Sequence, residues 1–592
     1  MIGDGDALPL TARALIADTE TAALVAADGT IDWWCPARFD ADAALFGLLD
    51  PGGGAMRVGP AGNGMSLGAQ SYATDSWVVR TTLHGPEGEL EITDLLPWRG
   101  SGHRADGRIV RLLRCLRGVV DVEMEVRPSG RWQAREPRGT SAWSEGIAFD
   151  GVVVTTGCDM TSGRAGRVRL ESGEHHVVTI SADGRNEPLS VDHAADLVDR
   201  TTKAWASRLA AVTYDGPYAS AVRRSLLTLL ALTYEPTGAI VAAPTTSLPE
   251  RVGGERNWDY RYAWVRDASL SADACYDAGL REEGERLLSW LRGVCHWAEL
   301  PLRPFYDVDG NRLAADEREL ALQGWRGSQP VRVGNRAADH LQLDFYADLV
   351  DLVHAEQLRS HDSVVGSMWD DLVRIGNWLG DAWRSPDRGI WEIRSEPRHL
   401  VTSKLSCWWT LHRLSSLAAL RNPLDLDGAR WRMEAAEVRA WVEAHAFAAD
   451  GSLRCEASDA TDPVDAALLP VAWRNPWPGE PWRAERTVDR VLARLSDGPF
   501  VRRYGHDMPD GLPPGEGAFL ACSFWAVRAL AVFGRWDEAH ERMESLLQLA
   551  GPLGLLSEEV DPTSRELLGN YPQAFSHLAL VQAAIALAKG PR

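Results

Sequence analysis

The chain has 592 residues, a formal net charge of −21, 25 tryptophans, 45% hydrophobic and 24% charged residues. That length exceeds one ordinary domain, so two or more are expected. The acidic balance disfavours nucleic acid and anionic membranes as partners, and no apolar run of about 18 residues offers a membrane span.

The opening stretch, "MIGDGDALPLTARALIADTETAAL", carries acids early and lacks a basic segment followed by an apolar core, so no secretion signal is expected. Eight cysteines (Cys35, Cys115, Cys158, Cys275, Cys295, Cys407, Cys455 and Cys522) are scattered with no CxxC pair. They read as buried reduced thiols, which favours the cytoplasm and argues against a metal cluster. Up to about residue 190 the chain reads as strands: "SYATDSWVVRTTLHG", "ELEITDLLPW", "RIVRLLRCLRGVVDVEMEVRPS" and "HHVVTISADG" alternate or run in β-branched residues between Gly, Pro and Asp breaks. Residues 1–191 are therefore expected to form an antiparallel β-sandwich. The glycines of "PGGGAMRVG" belong to a loop between strands, because no phosphate-loop "GK[ST]" follows.

Residues 192–214, with "DHAADLVDRTTKAWASRLAAV", have helical spacing and predict a helical linker. From 215 to 592 many apolar helical stretches follow, among them "YASAVRRSLLTLLALTY", "DHLQLDFYADLVDLVHAEQL", "TSKLSCWWTLHRLSSLAAL", "GAFLACSFWAVRALAVFG" and "AFSHLALVQAAIALAKG". Several are apolar on more than one face, as inner helices of a layered structure are. A dozen or so helices in successive pairs fit an α/α barrel, with long loops rich in Gly, Pro, Trp and Asp gathered at one end, where loops of that length carry function.

Three of these loops hold the candidate chemistry: "RNWDYRYAWVRD" (256–267), "DRGIWEIRSEPRHLVTSK" (387–404) and "GLLSEEVDPTSRELLGNYPQAFSH" (554–577). Each sets carboxylates beside Trp, Arg or His rather than among Lys and Glu on a helix face. Tryptophan offers a flat apolar face and an N–H donor, which matches a sugar ring with its C–H faces and hydroxyl rim. Glycoside hydrolysis needs two carboxyl groups flanking the scissile bond, one to protonate the leaving oxygen and one to activate water or attack. Glu392 follows Ile390 and Trp391, which could wall a protonated carboxyl. Glu558 opens a loop bounded by Gly and Pro.

At these residues the sequence resembles glycoside hydrolase family 15, the glucoamylase family, in its bacterial two-domain form. "TAALVAADGTIDWWCPARFDADAALFGLLD" is similar to the start of the family's N-terminal β-domain, and "PTTSLPERVGGERNWDYRYAWVRDAS", "WRGSQPVRVGN", "GIWEIR", "GEGAFLACSFW", "LLSEEVDP" and "GNYPQAFSHLAL" follow its catalytic motifs in order. The resemblance implies a β-sandwich followed by an (α/α)6 barrel, and exo-acting, inverting cleavage of α-glucosides. By motif it assigns Glu392 as general acid and Glu558 as general base, with Glu559 beside it. It implies that Arg266 and Asp267 hold hydroxyls of the terminal glucose and that Tyr260, Trp264 and Trp391 line its subsite. Arg503 and Tyr504 resemble a further Arg-Tyr pair near the sugar, and Trp325 lies in a motif that supplies an aromatic wall.

No cofactor or catalytic metal is expected, and the partner is a small carbohydrate. His399 and His577 read as packing or loop-tethering residues. Lys404 either orients Glu392 or caps a helix, and Glu516 either reaches substrate or serves near a helix start. Arg336 and His340 depart from the family pattern and are expected near the outer subsites, where leaving-group preference is set. The lack of a secretion signal favours a trehalase or related short α-glucoside hydrolase over an enzyme of bulk starch. A glucoamylase or isomaltose/dextran-type glucosidase is the alternative within the family. A phosphorylase on the same barrel or a non-hydrolytic sugar-binding protein is the alternative outside it.

Overall fold

The computed structural model describes residues 8–590 except 63, 99, 101, 103–106, 162, 361–363, 458–462 and 506–507. The N-terminal part is an antiparallel sheet domain of thirteen strands. In chain order these are β1 (Arg13–Ala17), β2 (Ala22–Ala26), β3 (Thr30–Trp34), β4 (Ala55–Pro60), β5 (Ser66–Tyr72), β6 (Val79–His84), β7 (Gly88–Leu95), β8 (Arg108–Arg127), β9 (Ser141–Trp143), β10 (Gly146–Phe149), β11 (Val152–Thr155), β12 (Ala165–Glu171) and β13 (His175–Ser181).

The 20-residue β8 organises the rest. Its C-terminal half pairs with β4 and β12, and β4 continues into β3, β2 and β1. Its N-terminal half pairs with β7 and β13, from which β6–β5 and β11–β10–β9 extend. The change of partners falls at Gly118, with φ 69°. A Cβ there would lie 2.1 Å from the Glu87 carbonyl oxygen, so only glycine permits the strand to turn. β1 packs on β6 and β7, and β4 on β6, which brings the two halves face to face. β1–β4 are buried along their whole length instead of alternating. Their other side meets the helical part of the chain: Trp33 Nε1 donates to the Pro244 carbonyl at 2.8 Å, and the Tyr571 hydroxyl donates to the Arg13 carbonyl at 2.9 Å.

Next comes α1 (Val191–Arg208), capped by the Ser190 side chain, which accepts from the His193 N–H. This segment, expected as a linker, lies against β8 and β13, with Trp205 on Trp98 at 4.2 Å between ring centres. The C-terminal region is helical: α2 (Ala219–Leu232), α3 (Val265–Asp277), α4 (Arg281–Trp297), α5 (Tyr346–Ser360), α6 (Val364–Ala382), α7 (Val401–Arg421), α8 (Leu426–His445), α9 (Trp482–Leu495), α10 (Leu520–Val532), α11 (Trp536–Leu547) and α12 (Ala574–Leu587), with a 3-10 helix at Ala466–Ala472. From α3 to α5, α7, the 3-10 helix, α10, α12 and back to α3, each element touches the next. The others lie outside, packed on one or two members of this ring.

Sequence explains who is inside. α10 ("LACSFWAVRALAV") and α12 ("AFSHLALVQAAIAL") are apolar nearly all round and buried on nearly all sides. The outer α9 buries only one stripe, Ala484, Thr487, Val488, Val491, Leu492 and Leu495. The 3-10 helix holds Pro470, whose ring and missing N–H oppose a long α-helix there. Among the described residues no helix is long and apolar enough to cross a membrane. All eight cysteines are buried and unpaired.

Candidate active site

The loops leading into α3, α7, α10 and α12 surround a pocket that encloses about 700 Å³ including its mouth. Glu392 and Glu558 both line it, as do Tyr260, Trp264, Arg266, Asp267, Trp391, Arg503 and Tyr504. The lining runs from Ala242 to Phe575, so among the described residues the N-terminal sheet domain contributes no wall to this pocket.

The run 256–267 is extended before α3 begins, and extended chain alternates its side chains. Asp259 and Arg261 point one way, pairing at 2.7 Å, and Arg261 Nη1 reaches the Ala41 carbonyl in the N-terminal domain at 2.6 Å. Tyr260 and Trp264 line the pocket, with ring centres 5.5 Å apart and planes at 76°. The Tyr260 hydroxyl donates to Glu558 Oε1 at 2.6 Å, and Trp264 Nε1 donates to Glu392 Oε1 at 2.8 Å. One ring pair thus holds both carboxyls.

Glu392 is half-buried and sits at φ 56°, on a turn closed by its own N–H to the Gly389 carbonyl at 3.1 Å. That left-handed conformation costs a non-glycine residue about 1–3 kcal/mol and is found where the surroundings fix a functional group. The two chain neighbours expected to wall the carboxyl, Ile390 and Trp391, line the same pocket. Trp391 turns its ring to Phe519 (centres 5.4 Å apart) and donates Nε1 to Asp465 at 2.7 Å. The groups on Glu392 Oε1 are Trp264 and Gln342, whose Nε2 donates at 3.2 Å.

Glu558 and Glu559 diverge because the second opens a short strand, Glu559–Val560, where successive side chains face opposite sides. Glu558 is 1% exposed, and its Oε2 has no hydrogen-bond partner among the described residues. Burial raises its carboxyl to about 8, aided by the charge of Glu250 and opposed by Arg503 and the Tyr260 hydroxyl. Gly569 makes room for it, since a Cβ there would meet Glu558 Oε2 at 2.6 Å. Glu559 turns to the other side and accepts from the Gly517 N–H at 2.7 Å. Glu559→Gln is therefore expected to keep kcat within about threefold, whereas loss of a general base costs ~10²-fold or more; steady-state kinetics of the variant checks this.

Arg266 and Asp267 open α3. Arg266 Nε lies 3.8 Å from Asp267 Oδ2, and neither Nε nor Nη1 makes a hydrogen bond. Burial lifts Asp267 to about 6 against the opposing pull of Arg266. Arg503 is already engaged, donating Nη2 to Glu250 at 2.6 Å and to Glu516 at 2.7 Å, with Glu559 at 3.5 Å. The Glu250, Glu516 and Glu559 carboxyls converge within 4.8 Å, and the guanidinium among them supplies the positive charge such a cluster requires. Tyr504 donates its hydroxyl to Asp510 at 2.6 Å, and Arg256 joins both.

Other expected residues fall elsewhere. Trp325 is 1% exposed, lies in the core beneath the Arg326 guanidinium and is not among the residues lining the pocket. Arg336 and His340 also lie off the lining. Lys404 donates Nζ to the Trp383 and Ser385 carbonyls at 2.5 and 2.6 Å, closing the end of α6 rather than reaching Glu392. Glu516 belongs to the Arg503 cluster. His577, driven to about 3 by burial and hence neutral, accepts from the Leu556 N–H and ties α12 to the loop of Glu558. His399 is exposed against Trp441. Sequence reasoning passed over Glu250, Gln342, Arg256, Trp258 and Asp510. Arg256 and Trp258 stand inside the aromatic run, and Glu250 in the "SLPERVGG" stretch before it, and could have been found there; Gln342 and Asp510 are single residues in loops without a pattern.

Comparison with known proteins bears on this geometry. The profile "Glycosyl hydrolases family 15" matches residues 216–533 and 534–585, and "Trehalase-like, N-terminal" matches 1–136. A protein named trehalase from Mycolicibacterium smegmatis is 34% identical over 98% of this chain and 91% of its own. One of the same name from Thermoplasma volcanium is 31% identical over 96% and 92%. In fold, the chain is similar to a bacterial glucoamylase complexed with acarbose, with TM-score 0.66 and 12% identity over 99% of this chain and 94% of that one. On the family match over most of its length and relatives of this identity end to end, the chain belongs to glycosyl hydrolases family 15 and is a glycoside hydrolase.

Proposed function

We propose that this protein is an exo-acting, inverting α-glucoside hydrolase whose substrate is trehalose, working at one end of an (α/α)6 barrel backed by a β-sandwich. The observation that carries the reading is a single pocket in which two glutamates, 166 positions apart in the chain by number (392 and 558), are held by adjacent rings. The relatives named trehalase over the whole chain favour that sugar. The ring of six inner elements with outer helices against them favours the barrel.

The chemistry follows from which oxygens are taken. Glu392 Oε1 accepts two N–H donors, leaving Oε2 to carry the proton for the glycosidic oxygen. Glu558 Oε1 accepts from Tyr260, leaving the unpartnered Oε2 to take a proton from the attacking water. Trp264 and Tyr260 supply faces for the sugar, and the free N–H groups of Arg266 with Asp267 supply a donor and an acceptor for adjacent hydroxyls. Inversion places the two carboxyls about 6.5–9.5 Å apart, with the water between one of them and the anomeric carbon.

Early-time NMR of trehalose hydrolysis tests the assignment. Attack with inversion releases one β-glucose from the ring attacked and one α-glucose as leaving group, so equal amounts are expected before mutarotation. α-Glucose alone would overturn inversion; faster turnover of maltose or isomaltose than of trehalose would overturn the substrate.

The pH profile gives a second test. Glu558 must be ionised to act, and its carboxyl is raised by burial, so the acid limb of kcat/KM is expected on the alkaline side of an ordinary carboxylate. The Tyr260 hydroxyl favours the ionised form. Tyr260→Phe removes that donor, raises the pKa further and moves the limb to higher pH. A limb that stays put would detach Glu558 from the proton transfer.

A further inference from the structure

A second cavity lies inside the ring of helices, behind the first. It encloses about 1240 Å³ with its mouth, more than the pocket of the glutamates. Its walls come from α3, α5, α7, the 3-10 helix, α10 and α12. Arg266 and Ile390 line both cavities and so form the partition between them. The rear mouth lies beside Asp273 and Arg359, whose side chains are 28% and 29% exposed. Asp273 sits seven residues along α3 from Arg266, about 10 Å deeper.

The partition carries a loose buried ion pair, Arg266 with Asp344, whose facing polar atoms make no hydrogen bond among the described residues. Asp344 is 4% exposed, and neither carboxyl oxygen makes a hydrogen bond. Arg266 is 7% exposed with Nε and Nη1 free of hydrogen bonds. Arg266 Nη1 and Asp344 Oδ2 are 3.6 Å apart, too far for a direct bond, so each keeps capacity for a third group. Buried donors and acceptors with capacity to spare favour a guest that can hydrogen-bond to both. Burial pushes Asp344 up to about 7, so it can both accept and donate near neutral pH.

The lining selects the ligand's chemistry. Four aspartates and four arginines line the cavity, so an anion or a cation would each meet four like charges. A neutral molecule rich in hydroxyls meets donors and acceptors in equal supply. Aromatic faces complete the match: Trp473 lies under Arg528 at 4.2 Å, and Trp525 stands beside it in the wall. We propose that this rear cavity is a second sugar site, binding one neutral polyol of hexose size against Arg266 and Asp344. Because Arg266 also faces the front pocket, an occupant at the rear draws on the same guanidinium that the substrate uses. Only the choice of probe, the reaction product, rests on the function proposed above.

D-glucose is the probe, on the full chain. The front pocket takes both glucose units of trehalose, so calorimetric titration of the wild type is expected to give one glucose per chain more than the front pocket alone binds, and glucose inhibition of trehalose hydrolysis is expected to lower kcat as well as raise KM. Ala355→Trp and, independently, Leu405→Trp fill the rear cavity without removing a polar group or touching the front lining. Each is expected to leave kcat unchanged without glucose, reduce the stoichiometry by one and weaken the effect on kcat at least tenfold. The same stoichiometry in the wild type and in both filled variants, with purely competitive inhibition, overturns the rear site while leaving the front reading intact. So does a rear glucose seen in soaked crystals with no calorimetric counterpart, which is binding at crystal concentration only. If one filled variant does not fold, comparison of the wild type with the other decides. Failure of trehalose hydrolysis together with a glucose bound only at the rear would instead sink the front assignment.

Discussion

Glu392→Gln is expected to lower kcat on trehalose by about 10²–10⁴-fold but to lose far less on α-glucosyl fluoride. A glucosyl leaving group departs as a poor alkoxide unless a proton reaches its oxygen, whereas fluoride needs none. The same change at Glu558 should fall as far or further on both substrates, because water must be deprotonated whichever group leaves. The pair of substrates therefore separates acid from base, which loss of activity alone does not. Gln keeps the acceptor oxygen that meets Trp264 or Tyr260, so circular dichroism and thermal melting should match the wild type. Equal losses of Glu392→Gln on trehalose and fluoride would strip that residue of the acid's role.

Arg503→Met is expected to cost about 3–5 kcal/mol of stability, a large share of the ~5–15 kcal/mol that holds most folded proteins together. Arg503 bridges Glu250 and Glu516 and approaches Glu559, and Glu250 and Glu559 are fully buried. Removing the guanidinium leaves several carboxyls packed together with much less positive charge, and they must take up protons or the loops must open. Arg503→Met with Glu559→Gln removes one of the opposing carboxylates and should recover part of the loss. Thermal unfolding of the two variants side by side measures it; equal melting temperatures for the single variant and wild type would show the cluster to be dispensable. The raised carboxyl of Glu558 depends on the same cluster, through Glu250 and Arg503, so stability and basicity at this site are linked.

Much of the architecture was legible because periodicity survives burial. Strand runs such as "HHVVTIS" and helical runs such as "AFSHLALVQAAIAL" kept their alternation or their apolar breadth. The 3-10 helix at Ala466–Ala472 left no such trace, being short and interrupted by Pro470. The change of sheet within β8 is marked by a lone glycine, Gly118, which nothing in the local pattern distinguishes from other turns. At the site, motif order located the two glutamates and the aromatic run, and both glutamates line one pocket. The surroundings of the carboxyls were not legible. Trp391 adjoins Glu392 in the chain yet serves Asp465, while Trp264, far away in sequence, serves Glu392. Sequence adjacency says little about which side of a turn a ring takes when that turn adopts a left-handed φ.

The edge-to-face contact between Tyr260 and Trp264 has a bearing on how this catalyst tolerates change. Each ring grips a different glutamate, so the gap between proton donor and proton acceptor is gauged by five consecutive residues, like the jaws of a calliper, and not by the summed positions of distant helices. Drift elsewhere in the scaffold can shift the jaws as a unit without altering their opening. An insertion of one residue between positions 260 and 264 would reset it at a stroke.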